Sequence, residues 1–149
     1  MSFKIDFTTK WSDFDPNRHM RHTAYNDYAA EARARYFVSK NFSIEEFTTH
    51  NIGPILFHEE TFFKKEIKMG EDISVNLKLS GLSGNMERWK ITHEVFNSKN
   101  KLSAIIKVSG AWLDLTKRKL AVPPQEAKLL FTSIEKTVDF EEILMKKKN

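Results

Sequence analysis

The chain contains no cysteine. That excludes thiol catalysis, disulfide cross-links and cysteine-built zinc sites, and it removes the usual indicator of redox compartment. Glycine is sparse, at five residues, and none falls in a P-loop, a dinucleotide-binding pattern or a G-x-S-x-G elbow. Nucleotide-cradle and serine-hydrolase chemistry therefore have no support. No apolar run approaches the roughly 20 residues that a membrane-spanning helix needs. The opening MSFKIDFTTKW lacks the apolar stretch and small-residue cleavage site of a signal peptide. A cytoplasmic protein is the expectation. The run His58-Glu59-Glu60 lacks the second histidine of H-E-x-x-H, and His19 and His22 have no obvious third ligand nearby, so no metal is expected.

What is present is ordinary for a globular protein. The 149 residues are 40% apolar and 30% charged, which suits one domain spanning residues 1–149 with a respectable core. The formal charge is +4, partly from Lys146, Lys147 and Lys148, and residues 137–149 are expected to be a frayed, solvated tail. A basic surface could attract nucleic acid, an acidic carrier protein or a nucleotide-bearing substrate. Trp89 and Trp112 lie in alternating strand patterns that favour a core role over base stacking. Neither nucleic acid nor a membrane is an expected partner.

Hydrophobic periodicity lays out the elements. Phe3, Ile5 and Phe7 alternate as a strand over Phe3 to Thr9. From Thr23 to Val38 the period becomes helical: Tyr25, Tyr28, Ala29, Ala32 and Tyr36 share one face, His22 or Thr23 caps it, and Ala29, Ala30, Ala32 and Ala34 allow close approach to a sheet. Ser43 to Thr49 reads as a short helix with Ser43 and Glu46 as a capping box. Ile55 to Met69, Ile73 to Leu79, Trp89 to Val95 and Ala104 to Leu115 read as strands, separated by turns at Met69–Asp72, Gly81–Asn85 and Asn97–Asn100. Pro123 and Pro124 open a final helix, Gln125 to Glu135. One long helix among sequential antiparallel strands is an α+β pattern.

The stretch WSDFDPNRHMRHTAYNDYAAEARARYF, from Trp11 to Phe37, holds the candidate chemistry. Asp15 sits in a proline-containing turn, followed by His19 and His22 at the start of the long helix. A carboxylate can attack a carbonyl or deprotonate water, an imidazole can donate or accept a proton, and the unpaired N–H groups of a helix start can hold an oxyanion. The same residues would also serve as an Asx turn and a helix cap.

Asp13-Phe14-Asp15, His19-Met20-Arg21-His22, Ala24-Tyr25 and Glu31-Ala32-Arg33 resemble, in ungapped register, the signature of the 4-hydroxybenzoyl-CoA thioesterase-like hot-dog family. The resemblance implies a hot-dog fold, in which a long central helix is wrapped by a curved five- or six-stranded antiparallel sheet. It implies hydrolysis of acyl thioesters of coenzyme A or acyl carrier protein. It makes Asp15 the catalytic acid residue and places His22 where one branch has an assisting histidine. Tyr25 falls at an aromatic position near the acyl pocket. A glycine common in the turn is Arg18 here, a cation at the site mouth, and Trp11 replaces a frequent tyrosine. His19 is left a supporting role. Glu60, or equally Glu59, could reach the site of a neighbouring subunit, and Arg88 or Arg118 could meet nucleotide phosphates. No cofactor is expected beyond the coenzyme A or phosphopantetheine of the substrate itself. A homodimer or a dimer of dimers is expected, with the site at the interface. The rival readings are a hot-dog enoyl- or hydroxyacyl-thioester hydratase or dehydratase, and a non-catalytic acyl-ligand-binding protein.

Overall fold

The computed structural model describes residues 3–145. Six strands and three helices follow the order β1 (Phe3–Phe7), α1 (His22–Ser39), α2 (Ile44–His50), β2 (Ile52–Phe63), β3 (Ile73–Ser83), β4 (Arg88–Phe96), β5 (Leu102–Asp114), α3 (Gln125–Thr132) and β6 (Lys136–Ile143), with a single 3-10 turn at Trp11–Asp13. Five strands run in the order β1-β3-β4-β5-β2 with antiparallel neighbours along that path, β6 pairs with β3 off it, and α1 packs across the sheet against β1, β3 and β5. This is the α+β hot-dog arrangement. No described helix is long and apolar enough to cross a membrane.

The helical stripe buries as its period requires. Tyr25, Tyr28, Ala29, Ala32 and Tyr36 are all buried, and Ala24, Ala29 and Ala32 bring the helix close to the sheet. Ala30 and Ala34 do not share that face. They are exposed and line a chamber beside the helix. Trp89 and Trp112 are core residues, as their alternation predicts. Gly110 has a steric reason: a Cβ there would lie 1.9 Å from the Ile55 carbonyl oxygen and 2.7 Å from Trp89 Cζ2. Only a bare Cα lets the indole lie across the sheet at that point.

Several expectations need correction. Residues 137–143 of the expected tail belong to β6, which pairs with β3 in parallel beyond the end of β1; residues 146–149 lie outside the described residues. The sheet is thus not antiparallel at this one ladder. Gly81 is inside β3, at an irregularity in its pairing, and the turn comes after Ser83. The second strand begins at Ile52 and ends at Phe63, and it tolerates Pro54 because it is a sheet edge. Neither His22 nor Thr23 caps α1: the N-cap is Arg21, with no side-chain cap bond, and Ser43 bonds the Glu45 side chain rather than the backbone of α2. The last helix stops at Thr132, three residues short of Glu135.

Candidate functional site

A narrow hairpin presents Asp15. Phe14 pairs with Met20, the Asp15 N–H donates to the His19 carbonyl at 2.9 Å, and the Arg18 N–H donates to the Asp15 carbonyl at 2.9 Å. This is a type I turn closed by a residue in the left-handed region, and Arg18 is that residue, at φ 66°. The geometry explains why glycine suits this position in related turns and why arginine is strained there.

Asp13 anchors the hairpin from below. It is 2% exposed, accepts a hydrogen bond from the Tyr28 hydroxyl and another from the Lys10 N–H at 2.9 Å, and its carbonyl receives the Arg21 N–H. Burial alone would raise its pKa, but the Tyr28 hydroxyl, the Lys10 N–H and the Lys10 ammonium outweigh burial and hold it below the usual range. The same contact raises the Tyr28 phenol, with burial as the larger cause. The first aspartate of D-x-D is a structural lock.

Asp15 itself is half-buried. Its Oδ1 accepts the Asn17 N–H at 2.9 Å and the His19 N–H at 3.4 Å, while Oδ2 has no partner among the described residues. His22, the first residue of α1, is exposed. The N–H groups of His22 and Thr23 have no acceptor among the described residues, as the geometry of a helix start requires. Asp15, His19, His22 and Tyr25 line one open cleft of about 440 Å³, with Asn17, Met20, Phe63, Lys64, Lys65 and Glu66. Asp15, with a free carboxylate oxygen, and His22, with a free N–H at the positive end of an 18-residue helix, therefore line one space. That combination can direct a nucleophile at a carbonyl and hold the oxygen that becomes negative.

The other cleft residues support this geometry. His19 Nε2 pairs with Glu66 at 2.9 Å, and its backbone bridges Lys68. Tyr25 is buried and meets Phe63 edge-on at 5.2 Å. Its phenol is raised by burial, with the Glu66 and Asp15 charges adding to the effect.

Glu60, Arg88 and Arg118 lie elsewhere in the chain. A bulge between Leu56 and His58 leaves Phe57 and His58 on the outer face, so Glu60 also points outward, bonded to His58 at 2.5 Å. Glu59 points to the helix side, near enough for its charge to act on Arg33. Arg88 lies over the Phe57 ring at 5.4 Å and shares an outer hollow of about 840 Å³ with Arg118 and Lys119. That hollow is at the Ile55 end of β2, whereas Asp15 is at the Phe63 end. Eight residues of strand separate them, about 25 Å.

Sequence reasoning missed Lys64 and Lys65 at the cleft rim, Lys119 in the hollow, and a buried pair, Arg33 and His93. His93 is 0% exposed. Its Nδ1 donates to the Asn76 carbonyl at 2.7 Å and its Nε2 accepts from Arg33 Nη1 at 3.0 Å. Burial, reinforced by the Arg33 charge, lowers its pKa to about 3 despite the Asn76 carbonyl. The available signal was a histidine in a strict alternation with Trp89, Ile91 and Val95.

The sequence profile of the thioesterase-like superfamily matches residues 9–133. No curated protein matches the sequence. Among solved structures, a Staphylococcus aureus protein determined in complex with CoA superposes with a TM-score of 0.83 at 17% identity, over 93% of this chain and 88% of that one. A 1,4-dihydroxy-2-naphthoyl-CoA thioesterase from Synechocystis gives 0.79 at 18% identity, over 89% and 97%. A DHNA-CoA thioesterase from Staphylococcus aureus gives 0.73 at 18%, over 81% and 80%. At these identities the likeness is one of fold.

Proposed function

The chain belongs to the thioesterase-like superfamily, and with it to the thioester hydrolases, and from that premise we propose that it cleaves an acyl thioester at the cleft between Asp15 and the start of α1. The observation that carries the assignment is that Asp15, with an unpartnered Oδ2, and His22, with an unpaired N–H at the start of α1, line one cleft. Asp15 either adds to the thioester carbon or takes a proton from a water that adds. The carbonyl π pair moves onto oxygen, where the helix N–H groups and dipole hold it. Collapse re-forms the carbonyl and breaks the C–S bond, and the thiolate departs and is protonated; where Asp15 has added, a water then hydrolyses the resulting acyl–Asp15 anhydride, releasing the acid and restoring the carboxylate. A thiolate leaves readily, so the reaction written this way uses no cofactor. His22 polarises the carbonyl or orders the water.

The substrate's thiol carrier is coenzyme A in this reading, with an acyl carrier protein as the alternative. Arg88, Arg118 and Lys119 provide the cations for nucleotide phosphates, but one chain holds them about 25 Å from Asp15. In this reading, pairing of two copies at the edge strand β2 accounts for the distance. Its outer side pairs with nothing among the described residues, and Leu56, Phe57, Phe62 and Phe63 are exposed along it. Antiparallel pairing of β2 with a second copy brings the Ile55 end of one chain beside the Phe63 end of the other. A homodimer, alone or within a dimer of dimers, then completes the site. The test is a panel of acyl-CoA and enoyl-CoA substrates followed by thiol release, with mass measurement by light scattering. Thiol release from acyl-CoA by a dimer is expected. Hydration of enoyl-CoA without thiol release, or a monomer at micromolar concentration, contradicts the proposal.

A further inference from the structure

Beside α1, on the helix side of β2 and β4, lies a second chamber that shares no lining residue with the Asp15 cleft. Its volume is about 340 Å³, within the range of about 300–1,000 Å³ common for small-molecule sites. Phe37, Phe42, Phe47, Leu56, Trp89 and Ile91 make it apolar, and Ala30 and Ala34 leave it open along the exposed side of the helix. Among the described residues, Arg33 is the one charged residue that lines it. Arg33 is eleven residues past His22, about 16 Å along the helix axis.

The setting of Arg33 is unusual. A half-buried guanidinium is normally matched by a carboxylate, because a charge removed from water needs a partner. Among the described residues no acidic side chain lies within 4 Å of it; Glu59 acts on it only through space. Its one hydrogen bond goes to His93 Nε2. The Asn76 carbonyl fixes the Nδ1–H tautomer of His93, which makes Nε2 the acceptor and locks the fork in place. Four of the five guanidinium N–H donors remain without an acceptor among the described residues. A neutral imidazole orients the cation without cancelling it.

We propose that this chamber binds an apolar carboxylate, its head on the Arg33 fork and its body against Phe37, Phe42, Phe47 and Trp89. A planar carboxylate matches the fork in two parallel hydrogen bonds and supplies the missing charge. The aliphatic or aryl body takes up the apolar wall. Two sources provide the same chemistry: a free carboxylic acid, or a carboxyl group at the far end of an acyl chain whose thioester sits in an Asp15 cleft. The binding claim is independent of the hydrolase reading, and only the second source rests on it.

Titration calorimetry with octanoate and octanol separates the head from the body. Octanoate is expected to bind the wild-type protein once per chain, at least tenfold more tightly than octanol. Arg33→Met is expected to erase that difference. Ala34→Phe, placed on the exposed side of the helix, fills the chamber and is expected to remove both ligands even if Arg33→Met fails to fold. Equal affinity for the two ligands, no octanoate binding, or octanoate binding that survives Ala34→Phe overturns the proposal. Thiol release from suberoyl-CoA and octanoyl-CoA then identifies the source. A preference for suberoyl-CoA that Arg33→Met abolishes assigns the carboxylate to the acyl chain. Equal rates with octanoate binding intact assign it to a free acid. Absence of thiol release from both fails the hydrolase reading and leaves the calorimetry standing.

Discussion

Acidification from pH 7 to pH 5 should destabilise this protein through His93. The imidazole is buried, its Nε2 faces the Arg33 guanidinium, and its pKa is lowered to about 3 from an ordinary 6.5. The folded state therefore binds fewer protons than the unfolded state between those values, so stability falls as pH falls. Integrated from pH 7 to pH 5 with an unfolded value of 6.5, the loss is about 2 kcal/mol. That is a large fraction of the roughly 5–15 kcal/mol that holds a domain together. Asp13 and Glu71 are held below the usual carboxylate range, so their contributions are constant across this window. Urea unfolding at pH 7 and pH 5 measures the effect, and His93→Gln provides the control, because it keeps a donor and an acceptor but does not titrate. The wild type should lose about 2 kcal/mol more than the variant, about 1 M in urea midpoint for a slope of about 2 kcal/mol/M. Equal losses in the two proteins would refute the reasoning, since they would mean that His93 is hydrated or already charged when folded.

Three further outcomes follow from the same geometry. Arg18→Gly should stabilise the protein by about 0.5–1 kcal/mol in thermal or urea unfolding, because relief of the left-handed strain exceeds the extra entropy of an unfolded glycine. No gain would mean that the Arg18 side chain makes a compensating contact. Tyr28→Phe should cost about 1–3 kcal/mol at pH 7 by stripping a hydrogen bond from buried Asp13. Asp13 has a depressed pKa, so its contribution is present above the unfolded carboxyl value and lost as pH falls through the folded one. The cost of Tyr28→Phe should shrink at pH 3 for that reason. Gly110→Ala should cost about 3 kcal/mol or more, since its Cβ meets backbone at 1.9 Å, and it should perturb Trp89 fluorescence.

Periodicity carried most of the fold. The α1 stripe and the alternation in β4 are each a direct image of burial, while β3 and β5 add buried runs at Ile73–Leu77 and Gly110–Leu113; Tyr25, Tyr28, Tyr36 and Trp89 could be placed from spacing alone. The failures have local causes. The bulge at Leu56/His58 flips the parity of β2, so no alternation rule could choose between Glu59 and Glu60. The β6 strand is short of buried side chains and pairs in parallel after a long separation, leaving no hairpin signal in the tail. The Asp15 turn was legible because its residues are local in sequence. The Arg33–His93 pair was not, because sixty residues and two different elements separate its halves. The resemblance to the family supplied the register of the site; the φ of Arg18 shows why glycine suits the position at which this chain departs from it.

The central claim is that Asp15 carries the chemistry while Asp13 carries the fold. Thiol release from the best acyl-CoA substrate, measured for Asp15→Asn alongside its urea unfolding curve, tests this most directly. The account predicts a loss of kcat of at least a hundredfold with the unfolding midpoint unchanged. Turnover within a few-fold of wild type in a folded Asp15→Asn protein would contradict it.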